Sequence, residues 1–338
     1  MLSPASQCLL RSSELFDEGN WLLITPADAS VFNEVPASVN GFHQYFDMYL
    51  KCKSINEKQS FGLMMDASER FDGIVIYASK AKQHMAQLIR YAAGLLNSDG
   101  MLAIIGENKA GIKSAAKLLQ NTLGNGHKID SARHCSLFLG TKQSDIAQVS
   151  IEGDTQWFDC EVNEQQFRVA SLPGVFSHNE LDAGTRLLLE NTPKVSDGRV
   201  LDFACGAGVI GAYLKKLNNN IALTMSDINA NALHCAQATF KQNELEAEIV
   251  ASDGLTQVEG IFDAIFSNPP FHTGIHTDHQ ISSQFIADAA LRLEDGGHLT
   301  IVANRFLPYP DQMQQHFGNV KVVAETSKFK LYRSRKTA

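Results

Sequence analysis

A chain of 338 residues exceeds what one ordinary hydrophobic core accommodates, so two domains are expected. With 44% hydrophobic and 20% charged residues it reads as globular, and no apolar run approaches the roughly 18 residues that cross a bilayer. A formal charge of −8 excludes a long electrostatic grip on bare nucleic acid, though not a local basic contact.

Met1-Leu2-Ser3-Pro4 lacks the basic and apolar blocks of a signal peptide, and the six cysteines are scattered without a C-x-x-C pair. Reduced thiols and a cytoplasmic setting are therefore expected, with neither a disulfide framework nor a zinc site.

The first half alternates strands and helices. Trp21 to Thr25 and Gly73 to Tyr77 are β-rich runs, and Lys80 to Leu96 has helical apolar spacing. Asn97-Ser98-Asp99-Gly100 marks a turn, and Met101 to Ile105 is a further buried strand, which together predict a parallel α/β sheet. Two blocks recur in the second half. Phe71–Tyr77 aligns with Phe262–Asn268, and Ser98–Ile105 aligns with Asp295–Val302. Where the second copy has Asn268-Pro269-Pro270-Phe271, the first has Tyr77-Ala-Ser-Lys80 and no glycine loop. Residues 1–155 are thus expected to be a degenerate, non-catalytic copy of 156–338, joined near Ile151-Glu-Gly-Asp154.

In the second copy, Arg199 to Cys205 reads as a strand entering Gly206-Ala-Gly208-Val-Ile-Gly211 and a helix through Leu217. Glycines at such a turn let backbone approach a ligand. Asp227 ends the next strand, placed to accept both ribose hydroxyls of an adenosine. Glu248 to Ser252 closes on Asp253-Gly254, a position beside an adenine edge. A nicotinamide dinucleotide shares this fingerprint. Asp202, inside the strand and close to the turn, suits the ammonium of a methionine moiety and would repel a pyrophosphate.

Asn268-Pro269-Pro270-Phe271 follows the strand Phe262–Ser267, at the carboxyl edge where doubly wound sheets bind ligands. An exocyclic amine on a base is a poor nucleophile because its lone pair is delocalised. The Asn268 side-chain oxygen and the Pro269 carbonyl supply acceptors for its two hydrogens, orienting the lone pair toward a sulfonium methyl. Phe271 is placed to stack on an extruded base.

The run Phe176–Leu189, then Leu201-Asp-Phe-Ala-Cys-Gly-Ala-Gly208, then Asn268-Pro-Pro-Phe-His272 resembles the small-subunit ribosomal RNA guanine-N2 methyltransferase family, methyltransferase C. The resemblance covers the whole chain. It implies an α/β protein with two Rossmann-like methyltransferase domains in tandem: an N-terminal degenerate one for substrate recognition or folding support, and a C-terminal catalytic one. It implies S-adenosyl-L-methionine (AdoMet) as cofactor and a guanine N2 of 16S RNA in the small ribosomal subunit as acceptor, with a monomer, no metal and no membrane expected. The cofactor set would be Asp202, Ala204, Gly206, Gly208, Asp227, Ile228, Asp253, Gly254, Asn268 and Thr185, the last on a segment covering the methionine end. The catalytic set would be Asn268, Pro269, Pro270 and Phe271. The N-P-P-F motif is shared with adenine-N6 and glutamine-amide methyltransferases, so it fixes reaction type better than substrate. A nicotinamide oxidoreductase and a non-enzymatic scaffold also fit parts of the pattern.

His272, His276 and His279 are read as loop residues rather than a metal site, since methyl transfer from a sulfonium needs no metal. Cys205 is read as packing rather than nucleophilic. The basic run Lys328 to Lys336 is expected to be an edge strand ending in a solvated tail.

Overall fold

Alternating apolar runs and amphipathic helices condense into two units, Met1–Thr155 and Gln156–Ala338. The computed structural model describes residues 1–66, 68–176, 179–269 and 275–337, the side chains of 275–282 excepted. No helix among the described residues is long and apolar enough to cross a membrane.

Unit 1 contains strands β1 (Trp21–Ile24), β2 (Asn40–His43), β3 (Gln59–Phe61), β4 (Phe71–Tyr77), β5 (Leu96–Glu107), β6 (His127–Ala132) and β7 (Cys135–Thr141). Its helices are α1 (Pro4–Leu9), α2 (Phe46–Lys53), α3 (Lys82–Leu95) and α4 (Ile112–Leu123). The sheet order is β3-β2-β1-β4-β5-β7-β6, with the first five strands parallel and β7 and β6 antiparallel. Strands such as β1 are buried along their whole length, as a sheet covered on both faces requires. The turn expected at Asn97–Gly100 lies inside β5, as a register shift against β4.

Unit 2 opens with the hairpin β8 (Gln156–Val162) and β9 (Gln165–Ser171), followed by α5 (Ala183–Glu190). Its main sheet takes β10 (Arg199–Phe203), β11 (Ala222–Asp227), β12 (Glu248–Ala251), β13 (Phe262–Ser267), β14 (Leu293–Asn304), β15 (Lys321–Glu325) and β16 (Phe329–Arg335). Helices α6 (Val209–Leu217), α7 (Ala230–Gln242), α8 (Ile275–Arg292) and α9 (Tyr309–Phe317) connect them. The order β12-β11-β10-β13-β14-β16-β15 repeats that of unit 1 strand for strand. The repeat extends to detail: β14 carries the same kind of register shift against β13 that β5 carries against β4. The first residue past the central strand is left-handed in both, Thr25 at φ 48 and Ala204 at φ 55. Both units therefore have the Rossmann-like architecture of class I methyltransferases.

Contrary to the expectation from sequence, the basic C-terminal run is not an edge strand, because β16 pairs with β14 on one side and β15 on the other. Phe329, Leu331, Tyr332 and Ser334 are buried, so the edge falls to β15, which leaves Val322 exposed. Arg333 donates to Thr300, and Lys336 caps the Leu293 carbonyl at 2.7 Å. These cations satisfy acceptors of the fold itself.

Candidate active site

The carboxyl ends of β10, β11, β12 and β13 lie side by side in register, Phe203 opposite Ser226 and Ser267, and Asp227 opposite Ala251. This brings Ala204, Gly206, Asp227, Ile228, Asp253, Gly254, Asn268 and Pro269 to one edge. Pro270 and Phe271 lie outside the described residues, as do His272 and the side chains of His276 and His279.

The turn after β10 is left-handed at Ala204, Gly206 and Gly208. Ala204 accepts a conformation costing an L-residue roughly 1–2 kcal/mol, held by the Cys205 N–H donating to the Ser226 carbonyl at 3.0 Å. The three glycines of the loop have different reasons to be glycine. A Cβ on Gly206 would meet nothing within 4 Å, leaving its backbone open to a ligand. One on Gly208 would stand 3.3 Å from Ala236 on α7, and one on Gly211 would reach 2.5 Å from the Met225 sulfur on β11. A side chain at Gly208 or Gly211 would thus press on packed neighbours, whereas Gly206 faces open space.

Asp227 accepts from the Gly206 N–H through Oδ2 and the Asn229 N–H through Oδ1, both at 2.9 Å. Burial pushes its carboxyl up, and the Asn229, Gly206 and Ile228 amides pull it back. With three amides on a carboxylate that has about four acceptor sites, Asp227 keeps capacity for a hydroxyl. Ser252 donates its N–H to the Asp227 carbonyl, fixing the step to Asp253. Asp253 is exposed, and Gly254 at φ 60 has open space where a Cβ would be.

Asp202 is fully buried. Its Oδ2 accepts the Gly211 N–H at 2.9 Å, and its Oδ1 has no partner among the described residues. Burial, with Asp227 nearby, lifts its carboxyl to about 8. The carboxyl therefore pins β10 to the first turn of α6, and a cation brought to its other oxygen would favour the ionised form that burial alone disfavours. Cys205 is buried, and its thiol is pushed well up by burial and by Asp227, so a thiolate is disfavoured there.

Asn268 is held by α5. Asp182 caps that helix, its Oδ2 accepting the Thr185 N–H at 2.9 Å. The same oxygen accepts from Asn268 Nδ2 at 3.1 Å, and Thr185 Oγ1 accepts from it at 2.9 Å. Two acceptors on one side fix which way the amide faces. Asn268 Oδ1 is left buried with no donor among the described residues. Thr185 thus reaches the site through Asn268. Asp182, which the sequence places with Thr185 on the segment covering the cofactor as a candidate ligand, here positions Asn268. Its signal is the helix-cap spacing Asp182-x-x-Thr185 just ahead of an apolar run. Ser267 ties the end of β13 to the Phe203 carbonyl at 2.8 Å, and Phe203 stacks on Phe285 of α8 with centroids 3.9 Å apart.

These residues fit the methyl donor expected from sequence: an open glycine, a carboxylate at the second strand, a buried acid with one unengaged oxygen and an acceptor amide share one edge. Unit 1 lacks the set. By register His43 occupies the place of Asp227, donating Nε2–H to Gln59 at 2.7 Å, and burial lowers its pKa. Thr25-Pro26-Ala27 replaces the glycine turn beside a cavity of about 310 Å³.

Residues 166–333 match the methyltransferase small domain family, and residues 6–158 match its N-terminal domain family. A ribosomal RNA small subunit methyltransferase C of Pseudoalteromonas atlantica is 44% identical over 98% of this chain and 99% of the relative. The protein of that name from Alteromonas mediterranea is 40% identical over 99% of each. A solved 16S rRNA N2 methyltransferase from T. thermophilus, in complex with AdoMet and guanosine, shares the fold at a TM-score of 0.84. It is 22% identical and aligns over 99% of this chain and 92% of that one. With both halves matched and identity sustained from end to end, the chain belongs to the ribosomal RNA small subunit methyltransferase C family.

Proposed function

We propose that this chain transfers a methyl group from AdoMet to the exocyclic N2 of a guanine in 16S RNA of the small ribosomal subunit. The observation that carries the reading is the Asn268 amide: Nδ2 is engaged by Asp182 and Thr185, and Oδ1 is left without a donor among the described residues. That oxygen and the Pro269 carbonyl suit the two hydrogens of an amine, fixing its lone pair in line for attack. Bound AdoMet supplies an electrophilic methyl on a sulfonium. Asp227 would hold its ribose, Gly206 would allow the close approach, and Asp253 and Gly254 would flank the adenine. The unpaired oxygen of Asp202 suits the methionine ammonium, through water because the atom is buried. Pro270 and Phe271 complete the motif, Phe271 as the stacking partner of the base. The nitrogen's proton becomes strongly acidic once the methyl has arrived and passes to solvent, so no general base is assigned. Family membership favours guanine N2 of RNA over adenine-N6 or protein-amide acceptors.

Residues 1–155 serve recognition or folding support. The protein acts as a cytoplasmic monomer where subunits are assembled, its net acidity favouring an assembled particle over naked RNA.

Transfer of radiolabelled methyl to small subunits lacking this modification tests the reading, with naked RNA and large subunits alongside. Label recovered as N2-methylguanosine is expected. Label in methyladenosine or in protein would move the acceptor, and no label despite AdoMet binding would remove RNA from the reading altogether.

A further inference from the structure

The loop after β14, Arg305-Phe306-Leu307-Pro308, leaves an aromatic ring 91% exposed. The backbone beneath it is fixed. Arg305 N–H donates to the Lys328 carbonyl and Leu307 N–H to the Asn304 carbonyl, each at 3.1 Å. Leu307 packs on the core of the unit. The ring therefore stands in water on an anchored loop, without serving the fold.

Its surroundings are basic. Arg305 and Lys328 are exposed, and Lys330 is half-buried. Glu325 is the carboxylate that faces Arg305 at 3.8 Å and Lys330 at 3.3 Å. Arg305 and Lys330 against Glu325, with Lys328 at the strand end whose carbonyl holds Arg305, make a positive spot on a chain whose net charge is −8.

The spot shares the edge of Asn268. Ser267 of β13 pairs with Ile301 of β14, and the loop leaves the strand three residues later. Asn268 is level with Val302, four residues before Phe306, so at roughly 3.3 Å per residue Phe306 stands on the order of 10–15 Å from Asn268. One base does not span that gap, whereas a neighbouring nucleotide of the same strand does.

We propose that Phe306 is a stacking platform for a nucleotide flanking the methylated one, with Arg305, Lys328 and Lys330 holding its phosphates. Single-stranded RNA is recognised by this pairing of an aromatic face with cations along the backbone. The inference rests on the RNA-methylating reading above and names the surface that positions the strand.

Steady-state methylation of small subunits tests it. Phe306→Ala should raise KM about tenfold, the worth of a lost base stack, with kcat and AdoMet affinity unchanged. That loss should persist at high salt. The double change Lys328→Ala, Lys330→Ala should flatten the salt dependence of KM instead. Phe306→Trp should restore KM, and the introduced indole should be quenched by a single-stranded oligoribonucleotide beyond the quenching of the parent. Parental KM in Phe306→Ala, or an indole insensitive to RNA, overturns the platform. If the parent methylates no subunit, the function reading fails, and quenching of the indole still decides the platform.

Discussion

The amide of Asn268 has one side tied and the other without a donor among the described residues, which makes its orientation testable. Thr185→Val removes one of the two acceptors that hold Nδ2. A neutral hydrogen bond is worth about 0.5–1.5 kcal/mol, so kcat should fall roughly two- to tenfold while AdoMet affinity by calorimetry stays at the parental value. A loss confined to AdoMet binding would return Thr185 to the role of cofactor ligand. Asn268 was legible because the N-P-P-F tetrapeptide sits in one place. The role of Asp182 was not, because it depends on a cap 86 residues away meeting the end of β13. Asp202 offers a second test. Burial lifts its folded pKa to about 8 from an ordinary 3.8, so the folded chain keeps a proton that the unfolded chain releases. Its contribution to stability therefore falls as pH rises from about 4 to about 8 and is level beyond. Asp202→Asn, uncharged throughout, should gain stability relative to the parent across that window, measured as the difference in thermal midpoint without cofactor. A difference independent of pH would mean that Asp202 is ionised in the fold.

The turn from β10 into α6 divides between packing and binding, and its glycines separate the two. Gly211→Ala drives a methyl against Met225, and overpacking of that kind costs about 1–3 kcal/mol. Urea unfolding should show that loss. Gly206→Ala adds a methyl to open space at φ 54 and costs only the left-handed strain, about 1–2 kcal/mol. Its larger effect should be on AdoMet affinity. Equal affinity in Gly206→Ala and the parent would take the open glycine out of the cofactor site. The sequence pattern showed that a glycine turn stood here, since strand, glycines and helix are contiguous. It did not show which glycine served which purpose, because Ala236 and Met225 come from elements folded in from α7 and β11. The same limit explains β16: a basic run looks like a surface strand until β15, earlier in the chain, folds over to take the edge.

Each unit carries its own seven-stranded sheet, and each sheet has a buried cluster, around Trp21, Val75 and Ile105 in one and Phe262, Ile265 and Leu299 in the other. The repeated strand order was partly legible in two matched blocks. The rest was hidden because β1 and β2 keep the pattern of buried strands after losing every residue that marks a cofactor. His43 in the place of Asp227 leaves a neutral imidazole where a ribose would need an acceptor carboxylate, so the first unit shares the architecture without this cofactor-marking residue. That division predicts how a fragment behaves. Residues 156–338 alone should unfold cooperatively and bind AdoMet close to the parental affinity, because every proposed ligand lies within them. Methyl transfer to small subunits should nevertheless fall steeply, through KM if residues 1–155 recognise the particle. A fragment with parental KM and kcat would leave the first unit without a part in the reaction. A fragment that binds no AdoMet and melts without a cooperative transition would assign residues 1–155 to folding support instead, and far-ultraviolet dichroism through the melt separates these outcomes.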